Sequence, residues 1–550
     1  MEQWWKDYVV YQIYPRSFQD SNNDGVGDIN GIISRLDFIK DLGVNAIWLS
    51  PVYSSPEADN GYDISDYYSI NPKFGTMDDM TRLISEAKKR NIGIIMDLVI
   101  NHTSDEHLWF KRSKENDKEY RDYYIWKKGR SRGKAPNNWT SFFMDSAWEY
   151  DSSRDEYYLH LFDKKQPDLN YRNEKVIEEV ENILKFWLDK GIVGFRCDVI
   201  NILFKESFDN GTIFSPIRGL EQYKSKEKNH EIIRRLRENV LDKYSCFTVG
   251  EAVMVNLEEA KLLSEPSRKE LDMLFYFDHL EVDRVVSRYI PKRFKAKKLL
   301  KILTKWQQGL SWNAVYLENH DQPRIISHYG DDKEYHERSA KLLATMQLTL
   351  RGTQYIYQGQ EIGMTNFDFD SMTELRDVES FNMDKLMKKL LIPKGLRWKW
   401  IKESSRDNAR TPMQWSDEEG AGFSKAEPWI GLNKNYTEIN YMAQLHDEDS
   451  ILSYYKKMIK LRTDSDTLKY GSFISIYVTN HIMVFARLLK KEIYITLLNF
   501  SNKARKVRIP FSGDLVASNI NREKFTGELL PYEALLLKST IETGNKNDNE

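Results

Sequence analysis

The chain has 550 residues, 41% of them apolar and 30% charged, which is ordinary soluble usage and excludes a disordered or fibrous chain. Lys+Arg 81 against Asp+Glu 83 leaves a formal charge of −2, so neither a basic nucleic-acid footprint nor a polybasic membrane binder is expected. Two cysteines, Cys197 and Cys246, cannot staple a chain this long. No apolar run nears the ~18–20 residues of a membrane span, and MEQWWKDYVV holds no basic-then-apolar leader, so a cytoplasmic protein is expected.

Val9 to Tyr14 is a short β-rich run. Ile32, Leu36 and Ile39, flanked by Ile33 and Leu42, then repeat at helical spacing. They predict a helix over 31–42 that Gly43 stops. NAIWLSPV (45–52) reads as a buried strand. Thr76 with Asp79 offers an N-cap, and Met80, Leu83, Ile84 and Ala87 form one helical face behind it. IIMDLVI (94–100) is another buried strand. Strand–helix alternation of this kind implies a parallel sheet with helical crossovers. After His102 it breaks for about 70 residues, too long for a structureless loop inside a compact domain.

Alternation resumes with a helix near 174–190 and strands at 193–199, 246–253, 271–277, 312–317 and 354–357. Eight strands, near residues 9, 47, 95, 195, 248, 274, 314 and 355, predict a (β/α)8 TIM barrel. The expected organisation is a barrel from 1–101 and 172–468, with an inserted subdomain at 102–171 after strand 3 and an insertion at 365–405 after strand 8. A helix at 451–461 precedes a C-terminal antiparallel β-sandwich domain at 469–541, and a polar, disordered tail is expected at 542–550.

In a barrel, chemistry collects where strands end at the C-terminal face. Here those ends carry Asp97 and His102, Arg196 and Asp198, Glu251, and His320 and Asp321. Any one could be a buried structural ion pair, but a full set on consecutive strands is harder to explain that way. A retaining glycosidase needs one carboxylate as nucleophile and a second as acid then base, about 5–5.5 Å apart. Asp198 and Glu251 on adjacent strands could meet this. Arg196 would share Asp198's face and hold a neighbouring carboxylate ionised.

Four motifs occur in order: DLVINH (97–102), GFRCDVI (194–200), VGEA (249–252) and ENHDQPR (318–324). With them the whole chain, from VVYQIYPRSF to the β domain, resembles glycoside hydrolase family thirteen, the α-amylase family. It is most similar to the oligo-1,6-glucosidase and dextran glucosidase branch, whose signature resembles QPDLN (166–170). The resemblance implies that Asp198 is the nucleophile, Glu251 the acid/base and Asp321 the carboxylate that grips the sugar hydroxyls. It further implies that His102, Arg196 and His320 contact the sugar, with Phe143 and Gln166 beside them. Asp59 and Tyr62 of DNGYD would form the floor of the pocket, and Arg406 would close its blind end. Asp59 and Arg406 together imply an exo-acting pocket, and Asp168 a structural role.

Val199 follows the nucleophile, and in this branch Val there accompanies α-1,6 bonds, its branched side chain shaping the +1 wall. Lys292 and Glu379 align loosely with +1 residues of dextran glucosidases, although Lys292 also reads as a plain solvated lysine. The chain departs from the branch at Cys197, at Ala252-Val253-Met254, at Gln354 and Gln360, and at Met144-Asp145, which replaces a pair of glycines. Asp20, Asn22, Asp24, Val26 and Asp28 take positions 1, 3, 5, 7 and 9 of an EF-hand-like loop with Gly25 at position 6, but the bidentate Glu is missing. The spacing resembles the calcium loop of this branch, which implies a structural Ca2+ and no organic cofactor.

The expected function is therefore a retaining exo-α-glucosidase releasing glucose from α-1,6-linked isomaltose and short isomalto-oligosaccharides through a covalent glucosyl-Asp198 intermediate. Its alternatives are a trehalose-6-phosphate hydrolase or an α-glucosidase active on α-1,4 bonds or sucrose. The lysines of 295–305 and 385–402 read as solvated helix faces, and no phosphate cradle is identifiable. The expected partner is a small oligosaccharide, with no nucleic acid and no membrane, and the expected state is a monomer.

Overall fold

The computed structural model describes residues 3–541 except Arg132, Pro216, Val286, Pro510 and Phe511. The expected tail at 542–550 lies outside the described residues. Eight strands, β1 (Val9–Ile13), β2 (Ala46–Leu49), β3 (Gly93–Leu98), β4 (Gly194–Cys197), β5 (Phe247–Glu251), β6 (Met273–Phe275), β7 (Ala314–Val315) and β8 (Thr353–Tyr357), form one sheet in the order β6-β5-β4-β3-β2-β1-β8-β7. Every pairing in it is parallel. The end strands β6 and β7 approach one another, so the sheet curls into a nearly closed TIM barrel. β1, β2 and β8 are buried along their whole length. That is why β2 reads as a continuous apolar run rather than an alternating one, whereas β1 and β8 also bury the polar Gln12, Thr353 and Gln354.

The crossover helices follow their sequence signals. Helix Met77–Lys89 starts on a capping box in which Asp79 N–H donates to Thr76 Oγ1 at 3.1 Å and Thr76 N–H donates to Asp79 Oδ2 at 2.9 Å. It buries Met80, Leu83, Ile84 and Ala87, and such a cap contributes about 1 kcal/mol. The expected helix over 31–42 is two helices, Ile29–Ser34 and Leu36–Leu42, broken at Arg35 (φ −108°, ψ 7°). At the break Arg35 donates to Gln19 Oε1 at 2.8 Å and lies 4.2 Å from the Trp415 ring, tertiary contacts that apolar spacing cannot signal. Gly43 ends the second helix in the left-handed region (φ 90°), as expected.

Between β3 and β4 runs the long interruption, with a helix (Leu108–Lys114) and a three-stranded sheet of Trp126–Lys127, Trp148–Asp151 and Glu156–Leu159. Helices Val378–Lys389 and Lys394–Ser404 follow β8. The C-terminal region is a five-stranded antiparallel sheet, Ser472–Val478, Ile482–Leu489, Glu492–Asn499, Ala534–Thr540 and Asp514–Ser518 in that order, plus a two-stranded pair. Along Ile482–Leu489, Ile482, Val484 and Ala486 enter a core of their own, whereas Met483 and Phe485 join the barrel's core. The sheet is thus buried on both sides, and period-two alternation decides which residue faces which core. Among the described residues no helix is long and apolar enough to cross a membrane.

Candidate active site

Strand register brings the acidic residues together. Asp97 on β3 lies opposite Arg196 on β4. Gly250 on β5 lies opposite Cys197, so the next pair at the strand ends is Glu251 beside Asp198. A Cβ on Gly250 would meet Leu271 Cδ1 at 2.4 Å, so glycine lets β5 seat there and present Glu251.

Arg196 is buried at the centre. Its Nη1 donates to Asp97 Oδ1 at 2.6 Å and to Asp198 Oδ1 at 2.7 Å, and its Nη2 donates to Glu251 Oε2. One guanidinium therefore holds three carboxylates from three strands. Their side chains are 0%, 9% and 15% exposed for Asp97, Asp198 and Glu251, which puts Glu251 on the solvent side. Asp97 also accepts from Trp48 Nε1 at 3.0 Å and Tyr62 Oη at 3.2 Å, which fixes it as the buried base of the cluster. Burial raises the Asp198 carboxyl, and Arg196 and then His102 oppose the rise.

His320 stacks with Tyr62 (5.3 Å, 3°) and with Tyr14 (5.8 Å, 13°). With the Gln12 amide donating to its Nδ1 at 2.8 Å, the proton sits on Nε2, which meets Tyr62 Oη at 2.7 Å and Asp321 Oδ2 at 3.1 Å. Arg410 Nη2 donates to Asp321 Oδ1 at 2.7 Å and Arg406 Nη1 donates to the same oxygen at 3.2 Å. Burial pushes the Asp321 carboxyl up, but His320, Arg406 and Arg410 outweigh it and hold it well below the usual carboxylate range.

The far wall joins the same network. Arg406 Nη2 lies 3.7 Å from Asp59 Oδ1, and Arg406 donates to Asp377 Oδ1 through Nε at 2.9 Å and Nη2 at 2.7 Å. Gln166 Nε2 donates to Asp59 Oδ2 at 3.1 Å and sits 3.2 Å from His102 Nε2. Burial lowers the affinity of His102 for a proton, against the pull of Asp198 and Asp168. The Phe143 ring lies 5.9 Å from the Arg406 guanidinium. Thus Asp59, Tyr62, His102, Phe143, Gln166, Arg196, His320 and Arg406 are joined with Asp198, Glu251 and Asp321 in one network of hydrogen bonds, ion pairs and ring contacts.

Val199 is buried with φ 36° and ψ 41°, a left-handed conformation that a β-branched residue seldom adopts. It packs in a cluster with Ile202, Trp139 and Trp148, against Phe142, Phe162 and Val253, so strain and packing together fix the wall beside Asp198. Met144 also has positive φ (71°), which accounts for glycine being the usual residue there. Asp168 belongs to a buried ion pair with Lys205 at 2.6 Å and accepts from Leu161 N–H at 2.8 Å, a scaffold beneath Gln166. Cys197 is buried and free, burial pushing its thiol far up. Lys292 is exposed at the surface, whereas Glu379 pairs with Arg288.

Arg410, Asp377, Tyr14 and Arg288 were not legible as site residues. Arg410 alone left a local trace, as the second arginine of RDNAR, four residues after Arg406.

The expected calcium loop is tied by its own hydrogen bonds. Asp20 Oδ1 accepts from Asn22 and Asn23 N–H (3.0 and 2.7 Å), and its Oδ2 accepts from Gly25 N–H at 2.9 Å and from Ser424. Asp28 accepts from Ser21 and caps helix Ile29–Ser34 at Gly31 N–H. Among the described residues no group of three or more acidic, histidine or cysteine side chains is placed to hold a metal ion. Asp20, Asn22, Asp24, Val26 and Asp28 stand in one nine-residue loop whose acidic side chains accept from N–H and O–H donors. The donor chemistry, all oxygen, still suits calcium.

The family model for the alpha-amylase catalytic domain matches residues 12–471. The chain belongs to the α-amylase family, glycoside hydrolase family thirteen. It is 50% identical over 519 residues to an oligo-1,6-glucosidase of Parageobacillus thermoglucosidasius, covering 92% of each chain. It is 48% identical over 558 residues to an oligo-1,6-glucosidase of Bacillus cereus, covering 98% and 99%. The structure is also similar to the crystal structure of trehalose-6-phosphate hydrolase from Bacillus licheniformis, with a TM-score of 0.93 at 42% identity, covering 97% and 99%. The α-amylase family protein described here is a glycosidase.

Proposed function

We propose that the protein is a retaining, exo-acting α-glucosidase that hydrolyses terminal α-1,6-glucosidic bonds of isomaltose and short isomalto-oligosaccharides. The observation that carries this reading is the sharing of one guanidinium: Asp198 and Glu251 sit on the two terminal nitrogens of Arg196. Such anchoring favours the short spacing of about 5–5.5 Å that double displacement needs over the 6.5–9.5 Å of inversion.

In this mechanism Glu251 takes up a proton and lets go of Arg196, which keeps Asp97 and Asp198. Glu251 protonates the glycosidic oxygen while Asp198 Oδ attacks C1, and the aglycone departs. Glu251, now a base, takes a proton from water as it attacks C1, and the Asp198–glucosyl bond breaks with its electron pair returning to the carboxylate. Asp321, held ionised by His320, Arg406 and Arg410, grips the sugar hydroxyls as the ring flattens. Tyr62 offers its ring face to the glucose. Asp59 and Arg406, 3.7 Å apart, close the pocket beyond a single terminal glucose, which supports exo action.

The α-1,6 preference rests on Val199 and on the oligo-1,6-glucosidase relatives. The similarity to a trehalose-6-phosphate hydrolase sets the competing outcome. Separate incubations with isomaltose, maltose, sucrose and trehalose 6-phosphate test it. Isomaltose is expected to lead in kcat/KM by about tenfold or more, roughly 1.4 kcal/mol of transition-state preference. A lead for trehalose 6-phosphate would reject the linkage while leaving the catalytic carboxylates in place.

The reading also includes a structural calcium ion at 20–28, held by Asp20, Asn22, Asp24, Asp28 and the Val26 carbonyl. Gly25 takes the left-handed turn (φ +86°) that such a loop requires. Calcium at 100 times its Kd is expected to stabilise the fold by about 2.7 kcal/mol, seen as a higher Tm that a chelator reverses. An unchanged Tm in calcium and chelator would remove the ion from the account.

A further inference from the structure

Arg288 lies in the segment after β6, outside every motif above. Its Nη1 donates to the backbone carbonyl of Asp321 at 2.8 Å, its Nη2 pairs with Glu379, and its own carbonyl accepts from Ser404 Oγ at 3.2 Å. It therefore ties together the segment after β6, the Asp321 loop after β7 and the helix pair after β8. Glu379 Oε2 in turn lies 3.8 Å from Arg406 Nε, and Arg406 Nη1 donates to Asp321 Oδ1 at 3.2 Å. The four residues close a ring: Arg288 to Glu379, Glu379 to Arg406, Arg406 to Asp321, and Asp321 back to Arg288.

The ring has one weak point. Glu379 is a largely buried carboxylate next to the arginine that Asp321 needs. Paired with Arg288, it has a counter-ion of its own. Without Arg288 it would be an unpaired buried anion whose nearest cation is Arg406, and such an anion gains strongly from capturing a partner.

We infer that Arg288 is a positioning residue that reserves Arg406 for Asp321, by neutralising Glu379 and by fixing the Asp321 backbone. The inference rests on the proposed role of Asp321 in gripping the sugar. Arg288 itself touches no substrate; it acts through Glu379 and Asp321.

The test compares wild type with Arg288→Met, Arg288→Lys, Glu379→Gln and the double variant Arg288→Met/Glu379→Gln. Each is measured for kcat and KM on p-nitrophenyl α-glucoside, for affinity to the cationic glucose mimic 1-deoxynojirimycin, and for Tm. Arg288→Met is expected to lose about 10- to 100-fold in kcat/KM, carried mainly by kcat because the lost contact is one that strengthens in the transition state. Its affinity for deoxynojirimycin falls in parallel. Arg288→Lys keeps part of the activity, since a point charge still neutralises Glu379. The double variant recovers at least about tenfold over Arg288→Met, because no anion then competes for Arg406. Arg288→Met within threefold of wild type, or a double variant no better than the single one, would overturn the inference. If Arg288→Met does not fold, Arg288→Lys with and without Glu379→Gln makes the same comparison. A wild type inactive on every glucoside would count against the proposed function alone, and the ordering of variants would still be read from deoxynojirimycin binding.

Discussion

Asp198→Asn is expected to lose about 10⁴-fold or more in kcat on every glucoside while folding normally. The substitution is isosteric, and an amide oxygen can still accept from Arg196 Nη1, so the cluster keeps its shape. What disappears is the anionic oxygen that attacks C1. Glu251→Gln is expected to behave differently. On isomaltose it loses nearly all turnover, because the departing sugar oxygen must be protonated. On α-glucosyl fluoride, whose leaving group needs no proton, the first step survives and the slow step becomes release of the glucosyl group. Steady-state rates on both substrates, with thermal denaturation as the control for folding, check the pair. Wild-type-like turnover in either variant on isomaltose would contradict the assignment.

Arg196→Met is expected to damage both stability and function. Asp97, Asp198 and Glu251 all lose their shared cation. Breaking a buried ion pair by removing one partner costs about 3–5 kcal/mol, since uncompensated charge remains in the interior. The variant is expected to show a Tm several degrees lower and no measurable glucosidase activity. Arg196→Lys separates the two effects: its positive charge recovers part of the stability, but one ammonium cannot reproduce the planar fork that reaches three carboxylates. Thermal denaturation beside kcat/KM measures this, and an Arg196→Met protein as stable and active as wild type would remove Arg196 from the centre of the site.

The barrel was legible because each strand carries its own signal. NAIWLSPV and IIMDLVI are short apolar runs that end in polar turns; β2 falls inside the first, and β3 begins one residue before the second. The strands of the C-terminal region were legible from β-rich runs between turns and not from alternation, since residues of opposite parity face two apolar cores and Ile482–Leu489 and Glu492–Asn499 are buried at both parities. Helix 31–42 was misread as continuous because apolar spacing persists across Arg35, while the break is held by Gln19 and Trp415, one of them 380 residues away.

The site divides in the same way. Residues at strand ends could be named because barrel geometry dictates where strand ends meet. Arg410, Asp377 and Arg288 could not, because each is one charge among many and its partner is distant in the chain. Arg410 reaches Asp321 across 89 positions, and Arg288 reaches Glu379 across 91. Nothing local distinguishes such a residue from a solvated one, as Lys292 illustrates from the other side: its loose alignment suggested a subsite, and it is exposed at the surface.

The central claim is that Asp198 forms a covalent bond to glucose on the way to retained product. Incubation with 5-fluoro-α-glucosyl fluoride, followed by proteolysis and mass spectrometry, tests it most directly. The account predicts one fluoroglucosyl adduct, carried on the peptide at Asp198 and absent from the Asp198→Asn protein. An adduct on another carboxylate, or none while the same protein releases β-glucose from isomaltose, would contradict it.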